Sequence, residues 1–170
     1  MWFSVSVALA AEDSLQLHEQ EIKAGLLYNF LKYTQWPEKE QTSNNNMVVC
    51  VYGNDPFEAN LKPMSGRTVN QRAIAVASIN NVHDIQNCNL LFVGAGEQKN
   101  WQEIERALKG KPVLTVSDMR GFIGAGGMIE FSRESSHISV NLSMDAMTKT
   151  GLNVHDRLLK LVTIIDAKER

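Results

Sequence analysis

Residues 47–52 (MVVCVY) form an apolar run that does not alternate and that ends at Gly53. A strand of this kind has both faces covered, as inner strands of parallel sheets do. That requirement limits the fold more than any other feature of the chain. The segments that follow extend it. Asp55 and Pro56 start a short helix, Asp as a cap and Pro as a first helical residue, and residues 63–66 make a turn. Residues 67–78 alternate loosely through Val69, Ile74 and Val76 and read as a second strand. Residues 90–93 are a third strand, closed by Gly94 and Gly96. Residues 98–108 carry Trp101, Ile104 and Leu108 at helical spacing and stop at Gly110. Residues 113–116 are a fourth strand. This β-α-β, β-α-β order predicts an α/β fold with a mostly parallel central sheet flanked by helices.

The last third changes character. Residues 121–127 (GFIGAGG) are a glycine-rich loop. Residues 128–131 and 137–142 are strands joined by the polar turn 132–136, which predicts an antiparallel hairpin. Two helices follow, at 143–150 and 154–167, separated by Gly151, the second with Leu158, Leu161, Val162 and Ile165 as its apolar stripe. At the other end, residues 14–36 are helical, with Ile22, Leu26, Phe30 and Tyr33 on one face and Glu19, Gln20, Lys23 and Lys32 largely off it. Pro37 ends that helix, and residues 41–46 (QTSNNN) read as a polar linker loop. A chain of 170 residues fits one domain, here expected over 14–167.

Residues 2–11 (WFSVSVALAA) are apolar and uncharged, and Ala8-Leu9-Ala10 offers the small residues a signal peptidase accepts. No positive n-region precedes them. The two readings are the remnant of a secretory signal over 1–11 and a buried N-terminal strand. The Ala-rich end favours the signal, with a mature start near Ala11 or Glu12. Ten residues are too few to span a bilayer. Cys50 and Cys88 fit no zinc spacing. In a reducing compartment they would be two buried thiols, and in an oxidising one they should bridge adjacent strands. The signal-like start favours the disulfide. Seventeen basic against nineteen acidic residues, with no clustering, argue against nucleic acid as a partner.

No catalytic, cofactor-binding or metal site is expected. The glycine loop lacks the G-K-[ST] of a phosphate cradle and precedes a strand instead of opening a helix. His18, His83, His137 and His155 are far apart, no G-x-S-x-G elbow occurs, and Glu103 and Glu105 point to different helix faces. Tyr28, Phe30, Tyr33 and Trp36 crowd one helix. Most of these pack in the core, while Tyr28 and Trp36, off the stripe, are candidate anchors for a partner protein. Gly121 and Phe122, in a loop expected to be exposed, join them.

Residues 23–37 (KAGLLYNFLKYTQWP) resemble the amino-terminal helix of the YfiR family of exported bacterial proteins. The similarity continues through Cys50 with Gly53, Cys88 before residues 90–93, and Thr115-Val116-Ser117-Asp118. It then takes in Gly121-Phe122, Gly126-Gly127-Met128-Ile129 and Phe131, and Asn141, Ala146, Gly151-Leu152 and Leu158-Leu159 with Leu161. The resemblance implies a periplasmic repressor, without enzymatic activity, of a membrane diguanylate cyclase of the YfiN type. It also implies an outer-membrane lipoprotein of the YfiB type that sequesters the repressor, and a link to biofilm formation. A second copy of the chain is a further candidate partner. Relatives with a second cysteine pair near the glycine loop differ from this chain, which has Ile123 and Ala125 there. The rival readings are a periplasmic small-ligand-binding module and an unrecognised hydrolase.

Overall fold

The computed structural model describes residues 4–43 and 45–165. A long helix, α1 (Ser4–Tyr33), leads into β1 (Thr34–Gln35), a short α2 (Glu38–Ser43) and β2 (Asn46–Tyr52). Then come α3 (Glu58–Leu61), β3 (Thr68–Val69), β4 (Arg72–Ile79), β5 (Leu90–Val93), α4 (Trp101–Leu108) and β6 (Leu114–Ser117). The hairpin β7 (Ile129–Glu134) and β8 (His137–Leu142) follows. Last are α5 (Met144–Thr148), β9 (Asn153–Val154), α6 (Asp156–Leu159) and β10 (Thr163–Ile164).

Eight strands form one sheet in the order β10-β8-β7-β6-β5-β2-β4-β3. The pairs β4/β2, β2/β5, β5/β6, β6/β7 and β8/β10 are parallel; β7/β8 and β3/β4 are antiparallel. The expected single-domain α/β architecture, mostly parallel with a C-terminal hairpin, is thus present. Successive residues of the inner strands face opposite ways. Val49, Val51, Leu90 and Phe92 join a core under α1, while Cys50, Tyr52, Leu91 and Val93 join a second core under α4. Burial on both sides explains why these strands read as continuous apolar runs. In α4, Trp101, Ile104 and Leu108 are the buried residues.

Several expectations need correction. The N-terminal run is helical from Ser4 onward, so a strand is not formed there; Trp2 and Phe3 lie outside the described residues. Among the described residues no helix is long and apolar enough to cross a membrane. In α1 the buried face is Ala24, Leu27, Phe30 and Leu31, with Ile22 exposed. The stripe is rotated because nearly every position from Ala24 to Leu31 tolerates burial, and contact with the sheet decides which does. α1 ends at Tyr33, three residues before Trp36, because Thr34 and Gln35 pair antiparallel with Val154 and Asn153.

Residues 41–43 belong to α2, whose first turn carries Glu38 and Glu40, favourable next to the helix N-terminus. The stretch 67–78 is two strands, because Asn70 (φ 50°) and Gln71 (φ 66°) form a tight turn between them. Positive φ at both central residues is the requirement of a type I′ two-residue hairpin, and Asn is the side-chain-bearing residue that accepts it best. Of the expected helix over 154–167, residues 166 and 167 lie outside the described residues, and over 154–165 it is mostly absent. Residues 153–154 are held by β1, α6 is four residues long, and Thr163–Ile164 joins β8 in parallel. The β-branched run Val162-Thr163-Ile164-Ile165 suits a strand better than a helix.

Candidate functional site

The stretch from Thr115 to Phe131 runs from β6 through the glycine-rich loop into β7, and its polar side chains hold backbone in place. The Ser117 hydroxyl donates to the Val93 carbonyl and accepts the Met119 N–H at 2.9 Å. Thr115 Oγ1 accepts the Met128 N–H at 3.1 Å. Glu130, 9% exposed, accepts from Gly121 N–H with one carboxylate oxygen and from Ile123 N–H with the other, each at 3.1 Å. The glycine loop is therefore tied down from beneath. Its Phe122 is fully buried with its ring centroid 4.5 Å from that of Trp101, and Trp101 Nε1 donates to the Ala125 carbonyl at 2.8 Å. Buried polar groups satisfied in this way fix one loop conformation.

Asp118 links this stretch to α1. Its Oδ1 accepts the Ala95 N–H at 2.9 Å, and its Oδ2 lies 3.4 Å from Lys23 Nζ. Lys23 is only 5% exposed, with Glu19 Oε1 at 3.0 Å and the Phe131 ring centroid at 5.9 Å. Lys23 is therefore a core-facing residue, correcting its expected place off the apolar face. Its stem covers Phe131 while two carboxylates compensate the ammonium, which is what lets a lysine be buried. The Glu19–Lys23 spacing of four is the sequence signal for this pair.

The candidate partner anchors divide into two kinds. Tyr28 is half-buried, with Arg67's guanidinium 4.2 Å from its ring centroid and its hydroxyl donating to the Thr68 carbonyl at 3.5 Å. Gly121 is exposed, at φ 79°. Trp36 (5% exposed) and Phe122 (0%) are core residues, so the expectation that they are presented at the surface is corrected. Trp36 is covered because the chain leaves the helix before reaching it, and Phe122 because Glu130 pulls its loop inward.

Cys50 and Cys88 form a disulfide with their Cα atoms 5.8 Å apart. Cys50 lies on β2, but Cys88 caps a 3-10 turn (Val82–Asn87) two residues ahead of β5, so the bridge ties a strand to the approach of its neighbour. On that face burial pushes the Tyr52 phenol above its usual pKa, helped by the charges of Glu103 and Glu97.

The described surface includes two grooves of about 510 Å³ or more. One, of about 810 Å³, runs between the end of α1 and the β3–β4 turn. Its wall includes Thr34, whose buried hydroxyl makes no hydrogen bond among the described residues, and Arg72, which donates to the Asn46 carbonyl at 2.6 Å. Burial lowers the Arg72 pKa, partly offset by Glu40. The other groove, of about 510 Å³, lies between α4, the glycine loop and α5. Among the described residues no cluster of three or more His, Cys, Asp or Glu side chains is placed to hold a metal ion.

A family model described as YfiR/HmsC-like matches residues 20–163. The chain belongs to the YfiR/HmsC-like family. The match begins inside α1 and ends at the first residue of β10, so it takes in the other seven strands of the sheet and every polar contact of the Thr115–Phe131 stretch described above. At the level of the family, this YfiR/HmsC-like protein is a periplasmic regulator of cyclic di-GMP signalling, and its domain is a regulatory one. The disulfide is in keeping with an oxidising compartment.

Proposed function

We propose that this YfiR/HmsC-like protein is a periplasmic negative regulator that binds the sensing domain of an inner-membrane diguanylate cyclase of the YfiN type and represses cyclic di-GMP synthesis. An outer-membrane lipoprotein of the YfiB type is the antagonist that removes it from the cyclase. The family match over residues 20–163 carries this reading. The site chemistry supports it: Thr115, Ser117, Asp118 and Glu130 are all engaged in holding backbone N–H groups, which builds a fixed surface. An exported protein has no access to cytoplasmic nucleotide, so it acts on the outward-facing part of a membrane enzyme. It does so by preferring the inactive conformation, and inverting a 99:1 population requires about 10⁴-fold differential affinity. Tyr28 and Gly121 are the proposed contact residues left at the surface. The 810 Å³ groove is the feature that favours the alternative role, small-ligand binding.

Titration of the purified, oxidised protein with the periplasmic domain of a YfiN-type diguanylate cyclase from the same organism tests this directly. Saturable binding at about 1 μM or tighter is expected, corresponding to roughly 8 kcal/mol. No heat and no co-elution at concentrations near 100 μM would remove the basis of the proposal.

A further inference from the structure

The 510 Å³ groove has a composition that neither the fold nor the proposed repression accounts for. Val113, Ile123 and Met128 are buried side chains along its floor. Its rim carries Arg106, Lys109, Lys111 and Lys149 against Glu105 and Asp145. Four cations against two carboxylates leave an excess of two positive charges, in a chain whose net charge is −2. None of the four makes an ion pair among the described residues, whereas Lys23 and Arg133 elsewhere are paired. Like charges gathered without partners repel one another, and an anion relieves that repulsion.

Two buried hydroxyl residues also line this groove. Thr115 (3% exposed) and Ser143 (5%) each accept one backbone N–H, from Met128 and Ala146. Neither makes another hydrogen bond among the described residues, so each has an O–H left to donate, and a ligand oxygen is the acceptor that fits. The volume falls within the ordinary range of about 300–1,000 Å³ for small-molecule sites. An inorganic ion would leave the apolar floor wet, and a neutral apolar molecule would leave the cations unmatched.

We propose that this groove binds a small amphipathic organic anion, an apolar body carrying a carboxylate or phosphate head. The body covers Val113, Ile123 and Met128, and the head lies among Lys109, Lys111 and Lys149 within reach of the two hydroxyls. One wall is the glycine loop, so an occupied groove also braces the segment held by Glu130.

Calorimetric titration of the oxidised protein with monomeric decanoate and decyl phosphate tests the site, with decanol and inorganic phosphate as the half-ligands and intrinsic tryptophan fluorescence, to which the groove-lining Trp101 contributes, as a second readout. At least one of the two amphiphiles binds saturably, and the tighter one assigns the head group. Decanol and inorganic phosphate bind roughly tenfold or more weakly, because each makes only half of the contacts. Lys109→Glu combined with Lys149→Glu changes two exposed residues and leaves the melting temperature near that of the wild type. It weakens amphiphile binding by about tenfold or more, and added salt weakens wild-type binding. Absence of saturable binding by both amphiphiles overturns the proposal. So does decanol binding as tightly as they do, or an unchanged affinity in the charge-reversed variant. The measurement uses this chain alone, so its outcome is separate from that of the cyclase titration.

Discussion

Replacing Cys50 and Cys88 together by alanine is expected to destabilise the protein by about 4 kcal/mol, the entropy released to the unfolded chain when a loop of this length is no longer closed. The two residues are 38 apart in sequence, and the closed loop contains α3, β3 and β4. In the folded state the bridge joins β2 to the segment entering β5 and so reinforces covalently the β2–β5 ladder that holds β4 and β3 to the rest of the sheet. Both cysteines are buried, and alanine fills most of their volume without introducing a polar atom. For a urea dependence of about 2 kcal/mol per molar, the midpoint falls by roughly 2 M. Equilibrium unfolding of the wild type with and without reductant should give the same difference as wild type against the double variant. Coincident curves in all three cases would mean that the disulfide contributes nothing to the fold.

Gly127→Ala is expected to cost about 3 kcal/mol, the upper end of what an overpacked core position produces. A Cβ built there would approach Phe122 Cδ1 and Cε1 to 2.2 Å. The Phe122 ring has no room to yield, because it is fully buried against Trp101 and its backbone is fixed by Glu130 through the neighbouring N–H groups. Gly25→Ala is the matched control. Nothing lies within 4 Å of its added Cβ, and the site is an exposed position inside α1. There the substitution stabilises by about 0.5–1 kcal/mol, since alanine is the better helix former. Thermal melts of the two variants should move in opposite directions, and a Gly127→Ala protein melting like wild type would show that the loop packs otherwise.

What was readable in the sequence follows from how locally each feature is determined. β2, β5 and β6 are buried on both sides, so their signal is the run of apolar residues itself. The β7–β8 hairpin is announced by its two short strand segments and the polar turn between them. The register of α1 is different in kind: with Ala24, Leu26, Leu27, Phe30 and Leu31 all apolar, several faces fit, and the sheet beneath chooses between them. β10 is similar, since residues 158–165 carry a helical stripe and a β-branched run at once. Only the open edge beside β8 decides between them.

The candidate site shows the same division. Its residues were visible as a motif, but their roles depend on partners distant in sequence. Lys23 meets Asp118, and Glu130 reaches back to Gly121 and Ile123. The burial of Trp36 and Phe122 likewise follows from long-range packing that periodicity does not record.

The most direct measurement is intracellular cyclic di-GMP in a strain lacking this protein, with the proposed YfiN-type diguanylate cyclase intact and expressed. Repression by differential binding to the inactive cyclase predicts that the nucleotide rises on deletion. It also predicts that attachment rises with it, and that a plasmid copy exported to the periplasm restores the low level. An unchanged cyclic di-GMP level in that strain would contradict the account.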